Sequence, residues 1–220
     1  MQEMEKKSGL TEGKHPAKIK IEEAAKDINA YNKIMSGLDK EAAKDMKENI
    51  LKDENVSLEI LNLLARDADP DVRWNVARNP NAPAEVLNML ARDADHVVRG
   101  YAGIHPHAPV ELLNMLARDE DTYVRGNVAR NPNAPAELLN MLARDENYYV
   151  RRNVASNPNA PAELLNLLAR DENYYVRKAA INNPNYKENI NQVQARLLLL
   201  TDYLIKSGLT EEARTIKLFL

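Results

Sequence analysis

The chain of 220 residues contains no cysteine, one phenylalanine, one tryptophan and seven glycines. Without cysteine there is no disulfide, no thiolate-ligated zinc, no iron–sulfur cluster and no thiol nucleophile, and the composition suits a reducing compartment. Aromatic residues are only 5 % of the total. Strands, which favour β-branched and aromatic residues, are therefore disfavoured, and the abundant Leu and Ala favour helices. Long apolar runs are also missing. Leu197–Leu200 is far too short to span a membrane, and the N-terminal stretch holds no apolar core of signal-peptide length. The formal charge of −3 gives no general attraction to nucleic acid or to an anionic membrane. No Gly-rich phosphate loop, His-Glu-x-x-His pair or nucleophile-elbow serine occurs. These absences predict a soluble, cytoplasmic protein that is not an enzyme and needs no cofactor.

What is present is a repeat. Asn79-Pro80, His105-Pro106, Asn131-Pro132, Asn157-Pro158 and Asn183-Pro184 recur every 26 residues. They delimit units at 53–78, 79–104, 105–130, 131–156 and 157–182 without insertion, the mark of a solenoid whose units bury their apolar faces on one another. Within the fourth unit, NPNAP is turn chemistry that ends with proline at the first helical position. The segment AELLNMLARD then puts Leu138, Leu139, Leu142 and Ala143 on one helical face, with Glu137 in the first turn. A second, shorter helix is predicted from DENYY onward, with Val150, Val154 and Ala155 inward and its end set by the next Asn-Pro. The expected fold class is all-α, two helices per unit. Residues 1–52 are expected to form an N-terminal helical cap, with helices near 17–35 and 39–52. A partial repeat and C-terminal cap are expected over 183–220, with helices near 187–206 and 210–220. DMKENILKDEN (45–55) aligns with DVRWNVARNPN (71–81), a worn half-unit ahead of the first full one.

The run LLNMLARDENYYVRRNVASNPNAP resembles the leucine-rich repeat variant family, which is closer to helical HEAT and armadillo arrays than to strand-bearing leucine-rich horseshoes. The resemblance covers 53–185. It implies a right-handed α-solenoid alternating an α-helix with a shorter, often 3₁₀, helix.

Comparing the units with one another separates frame from variation. The pairs Arg66-Asp67, Arg92-Asp93, Arg118-Asp119, Arg144-Asp145 and Arg170-Asp171 never change. Nor do Arg73, Arg99, Arg125, Arg151 and Arg177. Charges of both signs at every unit suit ion pairs that hold neighbouring units in register better than an anion-binding ladder. Met89, Met115 and Met141 alternate with Leu63 and Leu167, an exchange that a partly buried helix face tolerates.

Variation concentrates on one strip of the second helix, opposite Val150 and Val154. Its candidate partner-binding residues are Trp74, Arg78, Val97, Tyr101, Ile104, Tyr123, Arg130, Tyr149, Arg152, Tyr175 and Lys178, thickened by Tyr148 and Tyr174. Trp, Tyr and Arg dominate interface energetics, though tyrosine rings could equally shield the seams between units. His105 and His107, with His96 nearby, are the only metal-like cluster. Two of them stand where other units have Asn, and a neutral imidazole accepts the same turn hydrogen bond, so no metal is expected. The function expected is a repeat scaffold that binds a protein or peptide along this strip. The alternative is nucleic-acid binding, which would call for a basic stripe.

Overall fold

The computed structural model describes residues 16–53, 55–186, 200–201 and 203–211, with side chains from residue 20 onward. All elements among them are helical. Helices α1 (Pro16–Lys26), α2 (Ile28–Met35) and α3 (Lys40–Ile50) precede five helix pairs. The pairs are α4 (Leu58–Leu64) with α5 (Pro70–Arg78), α6 (Ala84–Leu90) with α7 (His96–Ile104), and α8 (Val110–Leu116) with α9 (Thr122–Arg130). They continue with α10 (Ala136–Leu142) and α11 (Tyr148–Ser156), then α12 (Ala162–Leu168) and α13 (Tyr174–Asn182). The chain divides into two compact units, residues 1–124 and 125–220.

Local chemistry explains each boundary. The first helix of a pair starts after a proline with extended backbone, as at Pro83 (φ −77°, ψ 163°) and Pro135 (φ −68°, ψ 157°). Proline is thus the cap itself, one place earlier than the sequence suggested. Ser57 takes this place in the first pair and caps with its hydroxyl, which accepts from Ile60 N–H. The helix ends where the aspartate of Arg-Asp turns the chain. Asp145 Oδ1 accepts the N–H of Asn147 two residues on, and Asn147 Oδ1 accepts that of Tyr149 to start α11. These consecutive side-chain-to-backbone bonds compete with helix continuation. The first helix is therefore held to seven residues, while the second runs for nine up to the next Asn-Pro. The expected lengths are reversed, and the second helix is α rather than 3₁₀. The single helix expected near 17–35 is likewise broken, because Asp27 accepts from Ala30 N–H and begins α2 anew. Most of the C-terminal expectations, 187–199 and 212–220, lie outside the described residues. Residues 203–206 are helical, and Gly208 at φ 80° closes that helix, its N–H donating to Ile205 O.

The core repeats with the sequence. Ile60, Leu61 and Leu64 are buried in the first pair, Val86, Leu87 and Leu90 in the second, and Leu138, Leu139 and Leu142 in the fourth. Val72 and Val76 face them from α5, and Val150, Val154 and Ala155 from α11. Each buried Leu or Val contributes about 1.5–3 kcal/mol. The Met/Leu row lies further out than its exchange pattern suggested: Leu63, Met115 and Leu167 are exposed.

Two polar ladders fix the register between repeats. Arg73 Nε and Nη2 donate to both carboxylate oxygens of Asp93 at 2.6 and 2.8 Å. Arg99 does the same to Asp119, Arg125 to Asp145, and Arg151 to Asp171, at 2.6–3.1 Å. Each pair is 20 residues apart and nearly buried, at 10 % and 9 % side-chain exposure for Arg151 and Asp171. Burial alone would raise the Asp93 and Asp171 carboxyls. Hydrogen bonds from Arg73 and Arg151, and from the backbone N–H two residues on, hold both below the ordinary aspartate value. Lys47 Nζ meets Asp67 at 2.6 Å with the same 20-residue spacing. α3 therefore supplies the first rung, as the alignment of 45–55 with 71–81 anticipated.

The second ladder is built from the turns. Asn157 Nδ2 donates to Ala129 O and Asn131 O, and Asn183 Nδ2 to Ala155 O and Asn157 O, all at 2.8–2.9 Å and buried. Asn79 reaches Leu51 O at 2.9 Å. In each, Oδ1 accepts the N–H two residues on. Helix pairs stacked at 26-residue intervals, with these bonds between neighbours, make the fold an α-solenoid.

Candidate interaction strip

The second helices α5 and α7 pack on each other, as do α11 and α13. Their varied residues therefore meet across the seams between repeats. In the first unit, the Trp74 and Tyr101 rings stack at 5.3 Å between centroids, 25° from parallel. The Arg78 guanidinium lies 5.0 Å from the Trp74 ring and 5.6 Å from that of Tyr101, a cation–π arrangement that also orders the arginine. Trp74 Nε1 donates to Asp71 Oδ1 at 3.2 Å. Asp71 is also held by Lys44 at 2.7 Å, and these hydrogen bonds keep its carboxyl below the ordinary value. Three of the predicted residues thus form one cluster, half-buried at its rings. Val97, Ile104 and Tyr123 are half-buried nearby in sequence, and Tyr123 meets the His96 ring edge-on at 6.1 Å.

In the second unit the strip opens into two adjoining clefts. Arg130, Tyr149, Arg152, Asn153, Ser156, Asn157 and Pro158 line one of about 480 Å³. The other, about 400 Å³, is lined by Arg152, Ser156, Tyr175, Lys178 and the turn beginning at Asn182. Tyr148 faces elsewhere, beside Arg151, Glu146 and Glu172. Its ring lies 6.5 Å from that of Tyr175, which in turn touches Tyr174 edge-on. All three of these tyrosines are exposed.

Two features escaped the sequence reading. Asn153, on the second helix α11, is 8 % exposed and donates from Nδ2 to Gly126 O at 3.1 Å. Gly126 is the second. A Cβ there would sit 2.5 Å from Tyr149 Cε1, so the glycine makes room for the tyrosine ring of the next repeat. The available signal was a glycine at the place where other units carry Trp74, Arg152 or Lys178.

The histidines resolve differently from a metal cluster. His105 is 4 % exposed; its Nδ1 accepts the His107 N–H and its Nε2 lies 3.0 Å from Asn79 O, both at 3.0 Å. Nδ1 being an acceptor, Nε2 carries the proton and donates, so the neutral ring reproduces the asparagine of the other turns. Burial pushes its pKa below the ordinary histidine value, outweighing the bond to Asn79 O. His107 contacts the His105 ring edge-on at 5.3 Å, and His96 opens α7 on the surface.

Among the described residues no helix is long and apolar enough to cross a membrane. No curated protein matches the chain. The leucine-rich repeat variant family model matches residues 70–95, 124–147 and 148–173. A solved structure described as a leucine-rich repeat variant with a novel repetitive structural motif is similar at 30 % identity and a TM-score of 0.54. The match takes in 71 % of this chain and 61 % of that one, so the chain spans about three-fifths of its length. An engineered protein of known structure matches at 19 % identity and a TM-score of 0.37, over 75 % of this chain and 85 % of its own. The recurring Asn-Pro turn, the two-helix unit and the matched repeats are those of the leucine-rich repeat variant family.

Proposed function

We propose that this chain is a non-enzymatic repeat scaffold, with caps at 1–52 and 183–220 around five repeats at 53–182, that binds a protein or peptide along the second-helix strip. One observation carries this reading. Core, Arg–Asp rungs and turn chemistry recur from repeat to repeat, while the strip changes its chemistry most, from Trp74 and Arg78 through Val97, Tyr101 and Ile104 to Arg152 and Lys178. A surface held in place by a repeated frame and varied in its side chains suits recognition more than packing. Tyr148, Tyr174 and Tyr175 remain exposed, with rigid rings that lose little entropy on contact. Nucleic-acid binding is the weaker reading, because the strip carries about one cation per repeat.

The test is crosslinking or pull-down with wild type and the Trp74→Ala/Tyr149→Ala double variant, each checked for folding by circular dichroism. The reading expects partner recovery to fall sharply. Equal recovery by a folded variant would remove the strip from the function.

A further inference from the structure

The geometry points to an acidic, extended peptide segment as the occupant of the two adjoining clefts, with Arg130, Arg152 and Lys178 as its anchors. This inference rests on the strip reading above and adds the chemistry of the partner. All three cations are exposed, and none makes an ion pair among the described residues. The neighbouring basic residues Arg125 and Arg151 are, by contrast, consumed in the rungs. No carboxylate lines either cleft. Arg152 and Ser156 line both, so the two clefts share a wall. The remaining lining includes Tyr149, Tyr175 and the exposed Asn182. These offer hydroxyl and carboxamide groups to a peptide backbone and rings to its side chains.

Spacing decides between a peptide and a nucleic acid. Arg152 and Lys178 occupy equivalent places on α11 and α13, and packed helices lie about 8–10 Å apart. An extended peptide in the polyproline II conformation advances about 3.1 Å per residue with three residues per turn, so one acidic side chain every third residue lies on one face and matches one cation per repeat. A strand of a DNA duplex carries a phosphate about every 3.4 Å of helix axis and would place roughly three charges against each cation, leaving most unneutralised.

Fluorescence anisotropy of the full chain tests this. The probes are short rhodamine-labelled peptides with Glu at every third position, their Gln and Lys counterparts, and a labelled single-stranded oligonucleotide. The Glu peptide is expected to bind, and the Gln and Lys peptides to bind far more weakly. Arg152→Glu and, independently, Lys178→Glu should each weaken the Glu peptide on the order of tenfold, with unchanged thermal unfolding. Arg144→Glu, exposed at the end of a first helix and outside both clefts, should leave it unchanged. Equal binding of the Gln peptide, or indifference to both charge reversals, would overturn the acidic assignment and leave the strip reading standing. Tight binding of the oligonucleotide alone would overturn both. Binding of no probe would overturn the assignment, while the strip reading would still be decided by the Trp74/Tyr149 pull-down.

Discussion

At the scale of single residues, the buried turn of His105 is a pH-sensitive point of the described chain. Folding selects the neutral ring, since protonation at Nδ1 abolishes acceptance from His107 N–H and places a charge in a buried site facing His107. A pKa lowered on folding means that this contribution is complete above the ordinary histidine value, near 6.5. It is lost as pH falls from there through the folded value. Thermal unfolding followed from neutral to mildly acidic pH should therefore show a steeper loss of stability for wild type than for His105→Asn, which keeps the ladder without a titrating group. One proton limits the difference in slope to about 1.4 kcal/mol per pH unit. Identical slopes would contradict the assigned ring state. Gly126 offers a second residue-scale test. Gly126→Ala drives a methyl into the Tyr149 ring and should cost about 1–3 kcal/mol in denaturant unfolding, as overpacking does. In a Tyr149→Ala background that cost should largely vanish, giving a coupling energy that a double-mutant cycle reads directly.

At the scale of helices and their connections, the Arg–Asp rungs decide which repeat sits on which. Each arginine is tied to its own repeat as well. Arg151 Nη1 donates to Asp145 O and Glu146 O while its other nitrogens hold Asp171. Arg151→Ala should cost about 3–5 kcal/mol, the range for removing one partner of a buried pair. Arg151→Lys should cost less, because it keeps the charge but loses the two-pronged geometry; Lys47 already serves in this way at the first rung. Urea unfolding of the two variants gives the order. An alanine variant as stable as the lysine one would show that the rung contributes no charge-specific stability. The rungs also predict acid sensitivity at low pH. Asp93 and Asp171 are held below the ordinary aspartate value, so their contribution is full above that value and disappears as pH drops through the lowered one.

At the scale of the whole molecule, the repeat behaves as a register. Every internal repeat offers an arginine forward and an aspartate backward, so stability is a sum of repeat and nearest-neighbour terms. Removing residues 131–156 brings Asp171 to the 20-residue distance from Arg125 that all rungs share. That deletion should yield a cooperatively melting helical protein, whereas a deletion one residue shorter should melt at clearly lower temperature or fail to fold. Circular dichroism melts of the two proteins make the comparison, and similar melting would show that the ladders do not set the register.

What was determined by the sequence alone is the part that repeats. The 26-residue period, two helices per unit, and the buried Leu138, Leu139, Leu142, Val150 and Val154 all follow from local periodicity and turn chemistry, which act within one unit. What only the tertiary structure decided lies on the second side of each second helix, the one pressed against its neighbour. A single helix's periodicity defines one inward face. Asn153, Gly126 and the Trp74–Tyr101 stack are set by contacts 27 or 23 residues away; the sequence shows His105 as an asparagine substitute within its turn, and only the structure supplies its second partner, Asn79 O of the preceding turn. The same reason explains the clefts. The sequence places Arg130, Arg152 and Lys178 on one strip, and only stacking of neighbouring helices sets them along two adjoining clefts that no carboxylate lines.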